Sequence, residues 1–278
     1  MLPRLSYALA VAVAALLSSS AAAQVVRFET TVGDFDMVLN PTNNPRLQGH
    51  VDNMLQYVDD NRYKSSWINR AAENFVLQMG GFYSHTKRVP INIDSTRSVN
   101  TFAPVAGAPA STISGLSNTI GTVSLALPGD GMGGTDEDAG TSSFFVNLGS
   151  NAFLDADFTV FAAISDMTTI NRIMDLMQTD LTAVPNFGAG AGNLGFSDVP
   201  LEDNGFQVFI RRTFEITDTL AVARARAGVE SVMALSAAGG GGGGSSSSIP
   251  LSASVVPEPA SWLLCLFGVA TVTSRRRR

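Results

Sequence analysis

Ile68-Asn69-Arg70-Ala71-Ala72-Glu73-Asn74-Phe75-Val76-Leu77-Gln78-Met79-Gly80-Gly81-Phe82 is the stretch on which the fold of this chain turns. Phe75, Val76, Leu77 and Gln78 are β-prone and read as a strand that Gly80 and Gly81 stop. Taken alone, Arg70 reads as a solvated or ion-paired residue, as most arginines are. Phe75 alone reads as ordinary core. The neighbouring segments decide whether either bland reading holds.

Outward from this stretch, residues 25–31 and 35–39 are two β-prone runs around a Gly33-Asp34 turn, which predicts a hairpin. Val51, Met54, Leu55 and Val58 recur at helical spacing, and Asn61-Arg62-Tyr63 ends that helix. Further strands are expected over 119–127, 143–147, 158–164 and 206–216. Ile170, Ile173, Met174 and Met177 mark a second helix. Many short strands with two helices predict a mainly β fold, a barrel or a sandwich.

Four segments narrow this. The opening stretch places Arg70, Phe75 and Gln78 at the spacing of the cyclophilin signature, which it resembles. Gly121-Thr122-Val123-Ser124-Leu125-Ala126 resembles that family's G-T-[IV]-S-M-A strand. Thr141-Ser142-Ser143-Phe144-Phe145-Val146-Asn147-Leu148 resembles T-S-Q-F-F-I-x-L, and Asn151-Ala152-Phe153-Leu154-Asp155 resembles N-x-[FW]-L-D. The resemblance spans residues 25–216. It implies a closed eight-stranded antiparallel β-barrel capped by two α-helices, with peptidyl-prolyl cis-trans isomerase activity.

By motif position the resemblance makes Arg70 the catalytic residue. Phe75, Val76, Gln78, Ala126, Ser143, Phe145, Phe153, Leu154 and Phe158 become the substrate-binding residues. The chemistry suits these residue types. An X–Pro bond turns slowly because its C–N bond has partial double-bond character. Twisting it leaves a lone pair on the proline nitrogen, which a guanidinium addresses only in the transition state. Departures from the family pattern are Asn69, Met79, Leu127, Ser143 and Phe158, several of which replace polar groups. The alternative reading is therefore a non-catalytic, degenerate cyclophilin-like module or matrix protein that holds Pro-containing segments.

The ends predict export. Arg4, an apolar run over 7–17 and Ala21-Ala22-Ala23 form a signal peptide over residues 1–23, cleaved by signal peptidase. The folded domain is expected over 24–220 and a Gly/Ser-rich flexible linker over 221–255. Residues 256–278 run Val-Pro-Glu-Pro, then an apolar segment, then Arg275 to Arg278. This order resembles the PEP-CTERM sorting signal of Gram-negative bacteria, which an exosortase removes. It implies a protein of the periplasm, cell surface or extracellular matrix that touches the membrane only transiently, through its tail.

Without these ends the chain holds 13 basic and 23 acidic residues, a net charge of about −10. Such a domain repels phosphate backbones, so nucleic acid is not an expected partner. The one cysteine, Cys265, lies in the tail, so disulfide and thiol chemistry is excluded from the mature domain. His50 and His85 are the only histidines, too few for Cys/His zinc sites, and both are expected at the surface. Residues 129–138 lack calcium-loop spacing and read as a solvated loop. The Gly190, Gly192, Gly195 pattern has no βαβ unit around it. No cofactor or metal is implied, and the expected partners are X-Pro-containing polypeptides met by a monomer.

Overall fold

The computed structural model describes residues 24–84, 96–105, 113–129, 134–182 and 194–239. The expected signal peptide, the Gly/Ser run after 239, the sorting tail, His85, and Gly190 and Gly192 lie outside the described residues.

The chain opens with the expected hairpin, β1 (Val25–Thr30) and β2 (Asp34–Leu39). Phe28 pairs with Phe35, their rings stacked at 5.0 Å, and Arg27 pairs with Asp36 in a two-pronged ion pair of 2.7 and 2.9 Å. Next comes α1 (Gln48–Asp59), entered through a one-turn 3₁₀ helix at Pro45–Leu47 whose first turn is capped by the Asn44 side chain, which accepts from Arg46 N–H. Then follow β3 (Ser66–Ala72), β4 (Val76–Ser84), β5 (Thr96–Ser98), β6 (Thr122–Leu125), β7 (Phe144–Asn147) and β8 (Val160–Ile164). The chain continues through α2 (Thr168–Met174), β9 (Met177–Thr179), β10 (Val199–Leu201), β11 (Ile210–Glu215) and α3 (Thr219–Gly239).

The strands run in the order β11-β1-β2-β8-β6-β7-β4-β3, all antiparallel neighbours, with β5 added to β4. The two ends meet: Ser65 N–H donates to the Ile210 carbonyl at 2.8 Å and Ile68 N–H to Val208 at 3.0 Å, beside a bridge between Trp67 and Phe209. This near-closed eight-stranded barrel is the expected fold. Inward side chains such as Phe28, Leu77, Phe144, Val146 and Phe161 fill it, and α1 and α2 add Met54, Tyr57, Ile170 and Ile173 to the same core. A second cluster of Trp67, Phe82, Phe196 and Phe209 packs under the β9–β10 pair.

Five expectations change. Met177, expected on the second helix, lies beyond its end at Met174 and stands exposed at the start of β9. Gly80 and Gly81 do not stop β4, which runs on to Ser84. Gly80 instead takes φ +84°, where the β3–β4 register shifts, so the glycine accommodates a bulge rather than a strand end. Strand β3 was not foreseen, because Ser66, Asn69, Arg70, Ala71 and Ala72 leave it with neither an apolar β-prone run nor alternation, although all seven of its residues are buried. Residues 221–239, expected to begin the linker, form most of α3. The Asp218 carboxylate caps that helix by accepting from Ala221 N–H, and Ala225 and Val229 pack on Val25, Val38 and Ala163. His50 is buried on α1 against Phe161, not at the surface.

Candidate active site

The barrel pleat builds the site. Leu77 and Met79 of β4, Phe144 and Val146 of β7, and Val123 and Leu125 of β6 point inward. Period two then sends Val76, Gln78, Phe145 and Ala126 outward. Pairing sets Arg70 opposite Gln78 and Gln78 opposite Phe145, so these three form one row across β3, β4 and β7.

Around that row lies a separate apolar cluster of Ala72, Phe75, Val76, Ala126, Leu127, Phe145, Leu154 and Phe158. The Phe145 and Phe158 rings meet edge to face at 5.6 Å. Phe153 stacks on Phe75 at 6.0 Å and is 54% exposed, so it forms the rim. The Arg70 guanidinium carbon lies 5.4 Å from the Phe75 ring centre, and the residue is only 2% exposed. Gln78 donates from Nε2 to Ser143 Oγ at 3.3 Å, and Ser143 Oγ donates to the Met79 carbonyl at 3.4 Å. Arg70 and the nine residues expected to bind substrate therefore gather on one outer face. Ser143 reaches that face by tethering Gln78.

Sequence reading missed the scaffold beneath. Asn151 Nδ2 donates to the Phe75 carbonyl and to Asn147 Oδ1, both at 2.8 Å. Asn147 Nδ2 donates to Asn118 Oδ1 at 3.0 Å. Asn118 Nδ2 donates to Asp155 Oδ1 at 2.9 Å and to the Phe158 carbonyl at 3.0 Å. These buried amides tie the turn carrying Phe153 and Leu154 to β4, β6 and β7. A buried network with its hydrogen bonds made rigidifies what it holds. The repeat of Asn147, Asn151 and Asp155 at four-residue steps was the available signal. Ala72 and Leu127 also complete the apolar wall.

Residues 25–187 match the cyclophilin type peptidyl-prolyl cis-trans isomerase/CLD family. This chain belongs to that family. The cyclophilin-type chain is 29% identical over 168 residues to a peptidyl-prolyl cis-trans isomerase of Acinetobacter baylyi, covering 58% of this chain and 78% of that protein. It is 30% identical over 130 residues to peptidyl-prolyl cis-trans isomerase A of Dickeya dadantii, 47% of this chain and 57% of that protein. Among solved structures, a Cryptosporidium parvum cyclophilin type peptidyl-prolyl cis-trans isomerase is similar with TM-score 0.45 at 16% identity, covering 70% of this cyclophilin-type chain and 99% of that one.

Proposed function

We propose that this cyclophilin-type protein is an exported prolyl isomerase acting on accessible X–Pro bonds of envelope or secreted polypeptides. The observation that carries the reading is the buried Arg70, 5.4 Å from the Phe75 ring and opposite Gln78, at the edge of an apolar cluster. The cluster receives the proline ring. Gln78 orients Arg70 and the peptide backbone. As the imide twists, the nitrogen lone pair appears and accepts a hydrogen bond from the guanidinium. The gain is confined to the transition state, so it lowers the barrier without tightening substrate binding. No proton is transferred and no covalent intermediate forms.

Arg70→Ala should slow catalysed exchange of a Pro-containing peptide by roughly 10²–10³, equivalent to about 2–4 kcal/mol of transition-state stabilisation. Ground-state affinity should fall far less. Arg70→Lys should recover little, because an ammonium lacks the planar fork. Exchange NMR measures both rate and affinity. Equal affinity with no catalysed exchange in the wild-type protein would replace the enzyme reading with a binding module. The apolar Leu127 and Phe158 walls and the tethering of Gln78 by Ser143 favour that second reading.

Export and tail removal belong to the same proposal. Their support is the order of the terminal segments in the sequence. Intact mass of the protein from its native host should show both ends removed, and a mature species ending in four arginines would refute it.

A further inference from the structure

We infer that Ser236 of α3 is a positioning residue of the proline site, setting through Ser117 and Asp155 the turn that carries Phe153, Leu154 and Phe158. The inference rests on the reading of that pocket as an X–Pro site. Helix α3 lies wholly beyond the residues 25–187 that match the family. Its end carries an unusual choice of side chain. Ser236 is wholly buried, while Ala234, Leu235 and Ala237 beside it are exposed. A helix end that needed only apolar packing here would turn Leu235 inward instead. The hydroxyl is inside because it has partners there. Ser236 Oγ donates to the Ser117 carbonyl at 2.6 Å, and Ser117 N–H donates back to the Ser236 carbonyl at 3.4 Å. The second bond pairs one of the carbonyls that a helix end leaves open.

From Ser117 the connection runs directly into the site. The Ser117 hydroxyl donates to one oxygen of the Asp155 carboxylate, and Asn118 donates to the other from its N–H at 2.7 Å and its Nδ2 at 2.9 Å. Asn118 Nδ2 also donates to the Phe158 carbonyl at 3.0 Å, and the Asn118 carbonyl accepts from Asn151 N–H at 2.8 Å. Residues 117 and 118 thus hold both ends of the turn over 151–158, and Ser236 holds residue 117. Ser117, Asn118 and Ser236 are wholly buried, so water does not replace a bond removed there. Phe153 stands half out of the surface, so the backbone of the turn, more than packing around the ring, sets where it lies. The turn supplies walls that grip the proline ring, whereas Arg70 and Gln78 stand on β3 and β4. Loosening the turn therefore weakens the grip on bound peptide and leaves the transition-state hydrogen bond in place.

The test compares the full-length protein with its Ser236→Ala, Ser117→Ala and doubly substituted variants. The probe is an Ala-Ala-Pro-Phe anilide. NMR gives its dissociation constant, its catalysed exchange at saturation, and the resonances of Phe153, Leu154 and Arg70. Ser236→Ala should weaken peptide affinity about three- to tenfold, with exchange at saturation within about twofold. The Phe153 and Leu154 resonances should shift while those of Arg70 stay. Ser117→Ala keeps the carbonyl that Ser236 binds and cuts only the link to Asp155. It should weaken affinity alike, with amide exchange of α3 unchanged. The double variant should bind no more weakly than the weaker single one, because the two hydroxyls act in series. Unchanged affinity and resonances in either single variant overturn the inference, and so do additive losses in the double. A loss in Ser236→Ala alone, with α3 melted, shows a purely structural serine and overturns it too. If the wild-type protein binds the probe without accelerating its exchange, the isomerase reading fails, and the affinities and resonances still decide this inference.

Discussion

His50 faces a small cavity lined by Leu125, Leu127, Thr159 and two carboxylates, Glu137 and Asp157. Burial pushes its pKa from 6.5 down to about 4, because charging the ring costs hydration. The folded state therefore keeps the imidazole neutral while the unfolded chain takes up a proton near pH 6.5. Between pH 6.5 and 4 the unfolded state binds more protons, so stability is lost as the pH is lowered, by about 3 kcal/mol across the window. His50→Phe keeps the aromatic contact with Phe161 and removes the proton site. Urea denaturation at pH 7 and pH 4.5 should show a clearly smaller loss for the variant. Gly80 makes a second residue-scale case. A Cβ there would lie 2.7 Å from the Ser142 carbonyl oxygen and 2.9 Å from Tyr63 Cε1, at a φ of +84°. Gly80→Ala should cost at least about 2 kcal/mol in the same assay.

Among the elements, α3 departs furthest from expectation. Its composition, rich in alanine, favours helix, but the Gly/Ser run beyond it places the whole segment in the expected linker. What holds it is contact with β2 and β8. Gly228 sits so close to the barrel that a Cβ would fall 2.3 Å from the Ser165 carbonyl oxygen. In an exposed helix Gly→Ala stabilises by about 1 kcal/mol. Here Gly228→Ala should do the reverse and loosen α3. Faster amide hydrogen exchange over 222–236, with β6 and β7 unchanged, is the expected readout. Strand β3 was hidden for a related reason: both of its faces are covered, one by the barrel core and the other by the β9–β10 pair and the site cluster. Its pattern carries no period.

At the scale of the molecule, one barrel serves three surfaces: an interior core, the candidate site on the outer face of β3, β4, β6 and β7, and the α3 seam. Removing residues 256–278 should leave the melting temperature within about 2 °C, since the core clusters are built from residues 25–229. Removing residues 218–278 exposes the apolar seam of Val25, Val38, Ala163 and Ile216. That deletion should lower the melting temperature on the order of 5–10 °C. Calorimetry on the two truncations separates tail from domain, and equal melting points would show that α3 contributes nothing.

Local chemistry was readable without coordinates. The hairpin, α1, α2 and β11 announced themselves through apolar period and turn residues, because each keeps some residues toward water; β6, β7 and β8 are buried throughout and were readable as short β-prone runs instead. That Arg70, Gln78 and Phe145 lie side by side was readable through motif spacing, since strand pairing turns fixed spacing into a fixed row. Only the tertiary structure decided the rest. His50 is inside because α1 presses it onto Phe161, and α3 is folded domain because a barrel face awaits it. The amide network is a network only once Asn118 meets Asn147, Asn151 and Asp155. Each of these depends on partners distant in sequence, and burial by a distant partner leaves no trace in local pattern.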